Sequence, residues 1–458
     1  ANGHRTVNYS DVFGRLVLAR EFTGNSGATY AAYADTRYSH DLMDNLTVVR
    51  TSGPNNSQPG SFLRQTTMQY DKLGRKTLMS DPDMGVWSYQ YDSTGNLIRQ
   101  QDPNSVLCFR YDNLNRLTQR FQDGDPGTDC PAGPATGDVI LASYTYGTSK
   151  ANYNIGRPVG VSWGPNPTQN KDTFAYDAEG RLQTRTRLID NISYSLTYSA
   201  YDTFDRPQTI TLPNGEQILI GYDHEGEDTL KLKNGSTTTN VINAVGFTAL
   251  GRPAYIERQG TAPETTLTYY GQSGNFRLSG IQHGGASDSF PDFAYTTYDG
   301  VGNLAGMTMK IGSTTETSTF GYDELNRLKT ASLTNAGGAN YNYTYGYDLL
   351  GNILSRTGSG GPAMTYTYGE GTAGPQAVTT ITGGVSYTYA YDARGNIDWK
   401  KNTGVMVHDY TFDVENRLTS ILTNGTHTMS FAYDADGQRV KTTRADGTIL
   451  YTPFPDYE

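Results

Sequence analysis

The sequence predicts an all-β fold, a continuous array of β-hairpins, and three observations carry that prediction. A short unit recurs along nearly the whole chain: an aromatic–aspartate pair, two variable residues, a glycine or stand-in, then Arg or Asn and an aliphatic residue. Tyrosine and glycine dominate the 458 residues (35 Tyr, 52 Gly), and only 18% of the chain is charged. Apolar residues at the 3.6-residue spacing of an amphipathic helix are scarce.

The clearest copy runs from Tyr89 to Pro103. Tyr89 and Tyr91 fall on one face of an alternating strand and Gln90 on the other. Asp92-Ser93-Thr94-Gly95-Asn96 then breaks the strand with turn formers. Gly95 can take positive φ without a Cβ clash, and the short Asp92 side chain can accept turn amides. A second strand leaves from Leu97, and Asp102-Pro103 ends it.

The same device stands at Tyr70-Asp71 with Gly74, Tyr111-Asp112, Tyr176-Asp177 with Gly180, Tyr201-Asp202, and Tyr222-Asp223. It continues at Tyr298-Asp299 with Gly302, Tyr322-Asp323, Tyr347-Asp348 with Gly351, Tyr391-Asp392 with Gly395, and Tyr433-Asp434 with Gly437; Phe412-Asp413 is an aromatic swap. Asn115, Asn326, Asn416 and Asp205 occupy the glycine position elsewhere, the types best able to adopt a left-handed turn. Steps between undegraded copies run from 20 residues (Tyr91 to Tyr111) to 25 (Tyr176 to Tyr201). Units this short bury their apolar faces only against neighbours, so 1–458 is expected to be a single array rather than two or three globular domains.

In chain order, 1–65 hold degraded copies, with Ser10 and His40 in the tyrosine slot, and 52–61 read as a loop. Strong copies fill 68–117. The Gly/Pro/Asp-rich 123–138 reads as an inserted loop, and Asn154 to Pro158 as a decayed copy. Repeats return over 176–440, with an irregular part near 271–293. Pro207 and Pro253 open strands that are expected at an edge or bulge, since proline donates nothing to a ladder. One-faced rows, Tyr341, Tyr343, Tyr345 and Tyr347, then Tyr387, Tyr389 and Tyr391, suit an ordinary sheet face; a sugar-stacking platform is the functional alternative. A propeller is a competing fold, because two units span about the 40–50 residues of one blade, but the uneven steps favour one winding sheet.

The net charge of −10 and pI near 5.2 argue against nucleic-acid binding. No apolar run approaches the ~20 residues that span a bilayer, and Ala1 to Arg5 have no secretory core. Its first residues read as the inside of a repeat, so a piece of a longer polypeptide is expected. Cys108 and Cys130 form a candidate disulfide across the inserted loop, against the alternative of two unpaired thiols.

No catalytic constellation stands out. His4, His40, His224, His283, His408 and His427 lack metal-ligand spacing, His224-Glu225 has no second histidine three residues on, and neither a Gly-x-Ser-x-Gly elbow nor a phosphate loop occurs. Asp123, Asp125 and Asp129 could gather calcium but lack the central Gly and final Glu of an EF-hand loop, so a solvated acidic loop is expected. A residue repeated at every hairpin is structural rather than catalytic. The Arg or Asn after the turn glycine is expected to bond a carboxylate or carbonyl of the adjacent hairpin. No metal, cofactor or enzymatic activity is expected.

On Tyr-Asp-x-x-Gly-Arg/Asn-Leu, as in Tyr91 to Leu97, Tyr176 to Leu182 and Tyr298 to Leu304, the chain resembles the YD-repeat or RHS-repeat proteins. That family includes polymorphic toxin shells, the C subunit of insecticidal toxin complexes, wall-associated proteins and teneurins. The resemblance implies hairpins wound as a spiral, curved or shell-like sheet, in a secreted or cell-surface protein. The expected role is a non-enzymatic scaffold, part of a hollow shell around a toxin or other cargo polypeptide supplied by a C-terminal region beyond Glu458. The Asp-Pro-x-Gly closing segment of toxin-type members has no counterpart here. The alternative is an adhesion, glycan-binding or filament-forming surface module whose partners are glycans or neighbouring copies of itself.

Overall fold

A computed structural model of the chain describes all residues except 1–4, 25–28, 55–61, 126, 128, 129, 132, 224, 225, 260–263, 285–289, 336, 337 and 339. Asp129, His4, His224, Glu225 and most of the 52–61 loop therefore lie outside the described residues. Among those described, 37 strands form a single sheet, and one 3₁₀ turn, Gln272–Gly274, is the sole helical element.

Each strand pairs antiparallel with the strands before and after it, from Arg5–Ser10 to Ile449–Tyr451, with no crossover. This uninterrupted meander excludes a propeller, whose blades are separate four-stranded sheets. Short local connections explain it: every strand end carries a turn that returns the chain beside itself. The repeat turns lie along one rim of the ribbon, and the remaining hairpin loops along the other.

Within 271–293, where 285–289 are not described, the chain makes the 3₁₀ turn and then returns to strand pairing. Leu278–His283 and Asp292–Tyr298 are both in register with the array, because Tyr269 and Leu278 pair as a repeat tyrosine and its aliphatic partner do elsewhere. Pro207 and Pro253 each open a strand, opposite Tyr201 and Phe247. A bulge accompanies most repeat turns: Tyr91 pairs with Leu97 and Gln90 with Arg99, leaving Ile98 unpaired. Such bulges increase local twist and bend the ribbon.

The ribbon is one layer thick over most of its length. It exposes 24713 Å², against about 17,000 Å² for a compact globule of the same mass. Few side chains are fully buried, and they concentrate where the ribbon laps itself. Ala142 and Trp163 pack on Ala435, with Tyr144 and Val161 beside them. Contacts between coils join residues far apart in sequence: separations are 315 for Tyr33–Asp348, 292 for Asp102–Arg394 and 247 for Arg187–Asp434. One coil thus takes 250 to 315 residues, and the second coil covers part of the first. The coils touch through turns and loops, not through a strand ladder.

Cys108 and Cys130 are joined by a disulfide, with 5.7 Å between Cα atoms. Cys108 sits in a small cluster with Val106 and Phe121, so the bond pins the 123–138 loop to the sheet. Both sulfurs are consumed by it, and the nearby Asp123 cannot share a thiolate metal site with them.

Candidate functional site

The repeat residues build a hydrogen-bond ladder along one rim. In the Tyr91 copy, the Asp92 amide donates to the Asn96 carbonyl at 2.9 Å and the Gly95 amide to the Asp92 carbonyl at 3.2 Å. Asp92 Oδ1 accepts the amides of Thr94 (2.9 Å) and Asn96 (2.8 Å), and Oδ2 accepts Asn96 Nδ2 at 2.8 Å. Closing the turn requires positive φ at the fourth position, and Gly95 has φ 97°. Asn115, Asp205, Asn326 and Asn416 take φ of 58°, 60°, 61° and 65° at the same place.

Where Arg follows the turn, its Nε meets the aspartate of its own turn, as in Arg75–Asp71 at 2.7 Å and Arg417–Asp413 at 2.7 Å. This bond within the turn adds to the expected one across to the adjacent hairpin. The four-residue offset places the guanidinium over its own carboxylate first. The other end does reach across: Arg75 Nη1 donates to the Asp92 carbonyl (3.1 Å), and Arg327 Nη1 to that of Asp348 (3.0 Å). Where Asn replaces Arg, it bridges to the next turn, as Asn96 and Asn303 donate to Asn115 and Asn326, each at 3.0 Å.

The tyrosine completes the link. Its hydroxyl donates to the carbonyl of the residue that opens the outgoing strand of the preceding hairpin: Tyr91 to Lys76 (3.0 Å), Tyr111 to Leu97 (3.0 Å), Tyr322 to Leu304 (2.9 Å), Tyr347 to Leu328 (2.7 Å). Tyr222 and Tyr269 donate to Pro207 and Pro253, where a carbonyl is all the ladder asks of the proline. The preceding arginine covers the ring face, at 4.7 Å for Arg75 on Tyr91 and 4.2 Å for Arg206 on Tyr222. Tyr347 and Tyr391 end the two tyrosine rows and are themselves repeat tyrosines, Tyr391 donating to Val378 at 2.7 Å. Lys400 stands 3.8 Å from the Tyr387 ring centre, so that part of the second row already has a cationic partner.

These environments shift the ionisable groups. Partial desolvation works against the Asp92 carboxylate, but bonds from Asn96 and Thr94 outweigh it and hold its pKa down to about 2. Asp112 is lowered by its side-chain bond to Arg116. Burial pushes Tyr391 up to about 12.

The second cluster of chemistry is the seam between coils. Arg187 and Asp434 are both nearly inaccessible, at 3% and 2% exposure, and lie 2.7 Å apart. Arg187 also binds Asp172 through Nε and Nη2 at 2.8 Å each and donates to the Pro453 carbonyl at 2.8 Å. Burial opposes its charge, but Asp172 and Asp434 outweigh that and raise its pKa. Asp434 is a repeat aspartate whose turn carries Gln438 instead of Arg or Asn, so Arg187 of the other coil supplies the missing cation. Arg394 reaches Asp102 (2.9 Å) and Ser105 (3.0 Å), and Arg120 reaches Glu415 (2.6 Å) and the Ala435 carbonyl (2.8 Å). Asp83 accepts the Gln376 amide, and Asp190 binds Lys441 and Tyr451.

Sequence reasoning missed these seam residues, apart from Asp434 itself. The one signal is the departure at Gln438. A cavity of about 600 Å³ opens on the seam beside Arg185, Arg187, Asp434, Arg439 and Phe454, but its central charges are already paired. The histidines do not converge on it: His283 and His408 each bond a threonine hydroxyl, those of Thr265 and Thr423.

Residues 412–449 match the family model RHS Repeat. That stretch holds the Phe412 and Tyr433 copies of the repeat. Its fold is similar to the crystal structures of TcdB2-TccC3 (TM-score 0.77, 16% identity, 96% of this chain and 24% of that one) and TcdB2-TccC3-Cdc42 (0.76, 16%, 96% and 23%). It is also similar to a Photorhabdus luminescens Tc holotoxin pore carrying a TccC3 mutation (0.77, 17%, 96% and 23%). This chain thus spans about a quarter of the length of those chains. A search of curated proteins finds no match. At these identities the likeness establishes the fold alone.

Proposed function

We propose that the chain is a length of shell wall, a non-enzymatic scaffold that encloses a polypeptide cargo within a larger secreted or surface-exposed RHS-repeat protein. The observation that carries this reading is the single-layer ribbon lapping itself along a buried, ion-paired seam. A wall needs two solvent-facing sides and a sealed joint, and an exposed area of 24713 Å² with burial concentrated at the joint meets both requirements. The similarity in fold to chains from Tc toxin structures supports it. The repeat carboxylates are saturated by turn amides and arginine, which supports a structural role for them.

Two measurements test the proposal. Small-angle scattering of the purified chain should give a radius of gyration above the ~23 Å of a compact globule of this length; a value at or below it sinks the hollow wall. In the parent protein, limited proteolysis should leave the cargo segment intact until the wall is nicked. Cargo cut as fast as the wall's own loops refutes enclosure.

A further inference from the structure

The inserted loop 123–138 is tied to the sheet where Cys130 meets Cys108. Cys108 is fully buried, beside Val106 and Phe121. Asp123, which follows the strand Leu117–Gln122, enters the same spot and is only 5% exposed. Its Oδ1 accepts the Asp125 amide at 2.9 Å. Its Oδ2 lies 4.0 Å from Cys108 Sγ, but a disulfide sulfur has no proton to donate. Among the described residues that oxygen therefore has no hydrogen-bond donor, a costly state for a buried carboxylate. The repeat does not account for it, because Asp123 is not a turn aspartate. The two sulfurs and a carboxylate oxygen of Asp123 all lie within 4.8 Å of one another.

We propose that Cys108, Asp123 and Cys130 become a binding site for a thiophilic divalent cation of the zinc class once the disulfide is reduced. While the disulfide stands, no thiolate exists to bind one. A dithiol opens it: the two electrons and two protons that the dithiol gives up make two thiols, and the dithiol closes to its own disulfide. The cation then displaces both thiol protons. Two thiolates with a carboxylate favour zinc over calcium or magnesium. Around a tetrahedral zinc, neighbouring donor atoms stand about 3.7 Å apart. The spacing of Asp123 Oδ2 from Cys108 is close to that already, and the freed sulfurs need only move apart. The ladder holds two of the three ligands: Cys108 pairs with Phe121, and the Asp123 amide donates to the Val106 carbonyl at 3.0 Å. Cys130 alone rides on the loop. Two thiolates, one carboxylate and a divalent ion leave one negative charge. Arg110 offsets it from over the Phe121 ring, 5.2 Å from its centre, with Nε and Nη2 buried and unpartnered. Asp138, the other carboxylate that acts on Arg110, is held by the amides of Gly124 and Ala135. Three protein donors leave the fourth tetrahedral position to solvent.

Cobalt titration of the whole chain tests this. The chain has only these two cysteines, so a sulfur-to-cobalt charge-transfer band can arise nowhere else. A water-soluble trialkylphosphine first reduces the disulfide, becoming its oxide with oxygen taken from water and leaving two thiols. Stoichiometric Co²⁺ should then give the near-ultraviolet charge-transfer band, and Zn²⁺ added in the same amount should abolish it. The unreduced chain should give no band. Asp123→Asn keeps the shape of the side chain without its charge, and should weaken cobalt binding roughly tenfold or more while reduction still yields both thiols. Absence of the band in the reduced wild type overturns the proposal. So does an Asp123→Asn chain that binds cobalt as tightly as the wild type, or a folded chain whose disulfide the phosphine does not open.

Discussion

Replacing Arg187 by methionine isolates the seam from the rest of the ribbon. The guanidinium makes two bonds to Asp172, one to Asp434 and one to the Pro453 carbonyl, all at 2.7 to 2.8 Å, and lies 5.2 Å from the Trp163 ring centre. Asp172 keeps Arg185 at 2.6 Å, whereas Asp434 loses its cation and retains only turn amides for a carboxylate that is 2% exposed. Stranding one buried charge costs roughly 3–5 kcal/mol, which raises the seam-opening equilibrium about a hundredfold or more. Hydrogen exchange read by peptide mass is the assay. Amides in 434–454 and 172–190 should lose protection, while those near Tyr322, where the rim ladder is intact, serve as reference. Adding Asp434→Asn to Arg187→Met removes the stranded charge and should recover part of the loss. Unchanged exchange at the seam in the single variant refutes the reasoning, and so does a double variant no better protected than the single.

Tyr111→Phe deletes one hydroxyl bond to Leu97 and should lower stability by about 0.5–1.5 kcal/mol in urea unfolding; no loss would show that the tyrosine acts through its ring alone. Gly95→Val should cost about 1–3 kcal/mol through φ, since nothing lies within 4 Å of a Cβ there, and Gly95→Asn should cost less, as Asn115 holds the same turn. The pH profile has two sides. Asp92 is depressed in the folded state, so its contribution is present above an unfolded pKa near 4 and is lost as pH falls toward 2. Tyr391 is raised, so its contribution is present below about pH 10 and is lost as pH rises through 12. Urea midpoints should therefore fall at both extremes, and a midpoint flat from pH 4 to pH 2 would remove the aspartate from the account.

The repeat ladder was largely legible beforehand. Tyr91, Asp92 and Gly95 interact within one turn or with an adjacent hairpin, and chain geometry over so few residues leaves little choice. Register was less legible: the skipped Ile98 looks like any strand residue, because a bulge depends on how two twisted strands meet. The irregular composition of 271–293 concealed ordinary pairing, since Tyr269 and Leu278 keep their places while the residues between them change. The turn's departure at Gln438 was visible but silent, because its compensating cation lies 251 residues earlier at Arg187.

Sequence alone determined that this chain makes tyrosine–aspartate hairpins, where their turns fall and that, among the described residues, no α-helix interrupts them, because those outcomes rest on contacts between near neighbours. The tertiary structure decided where the ribbon meets itself and which carboxylates lose their water. Those depend on the accumulated twist of some two dozen strands, a sum of small angles that no single repeat encodes.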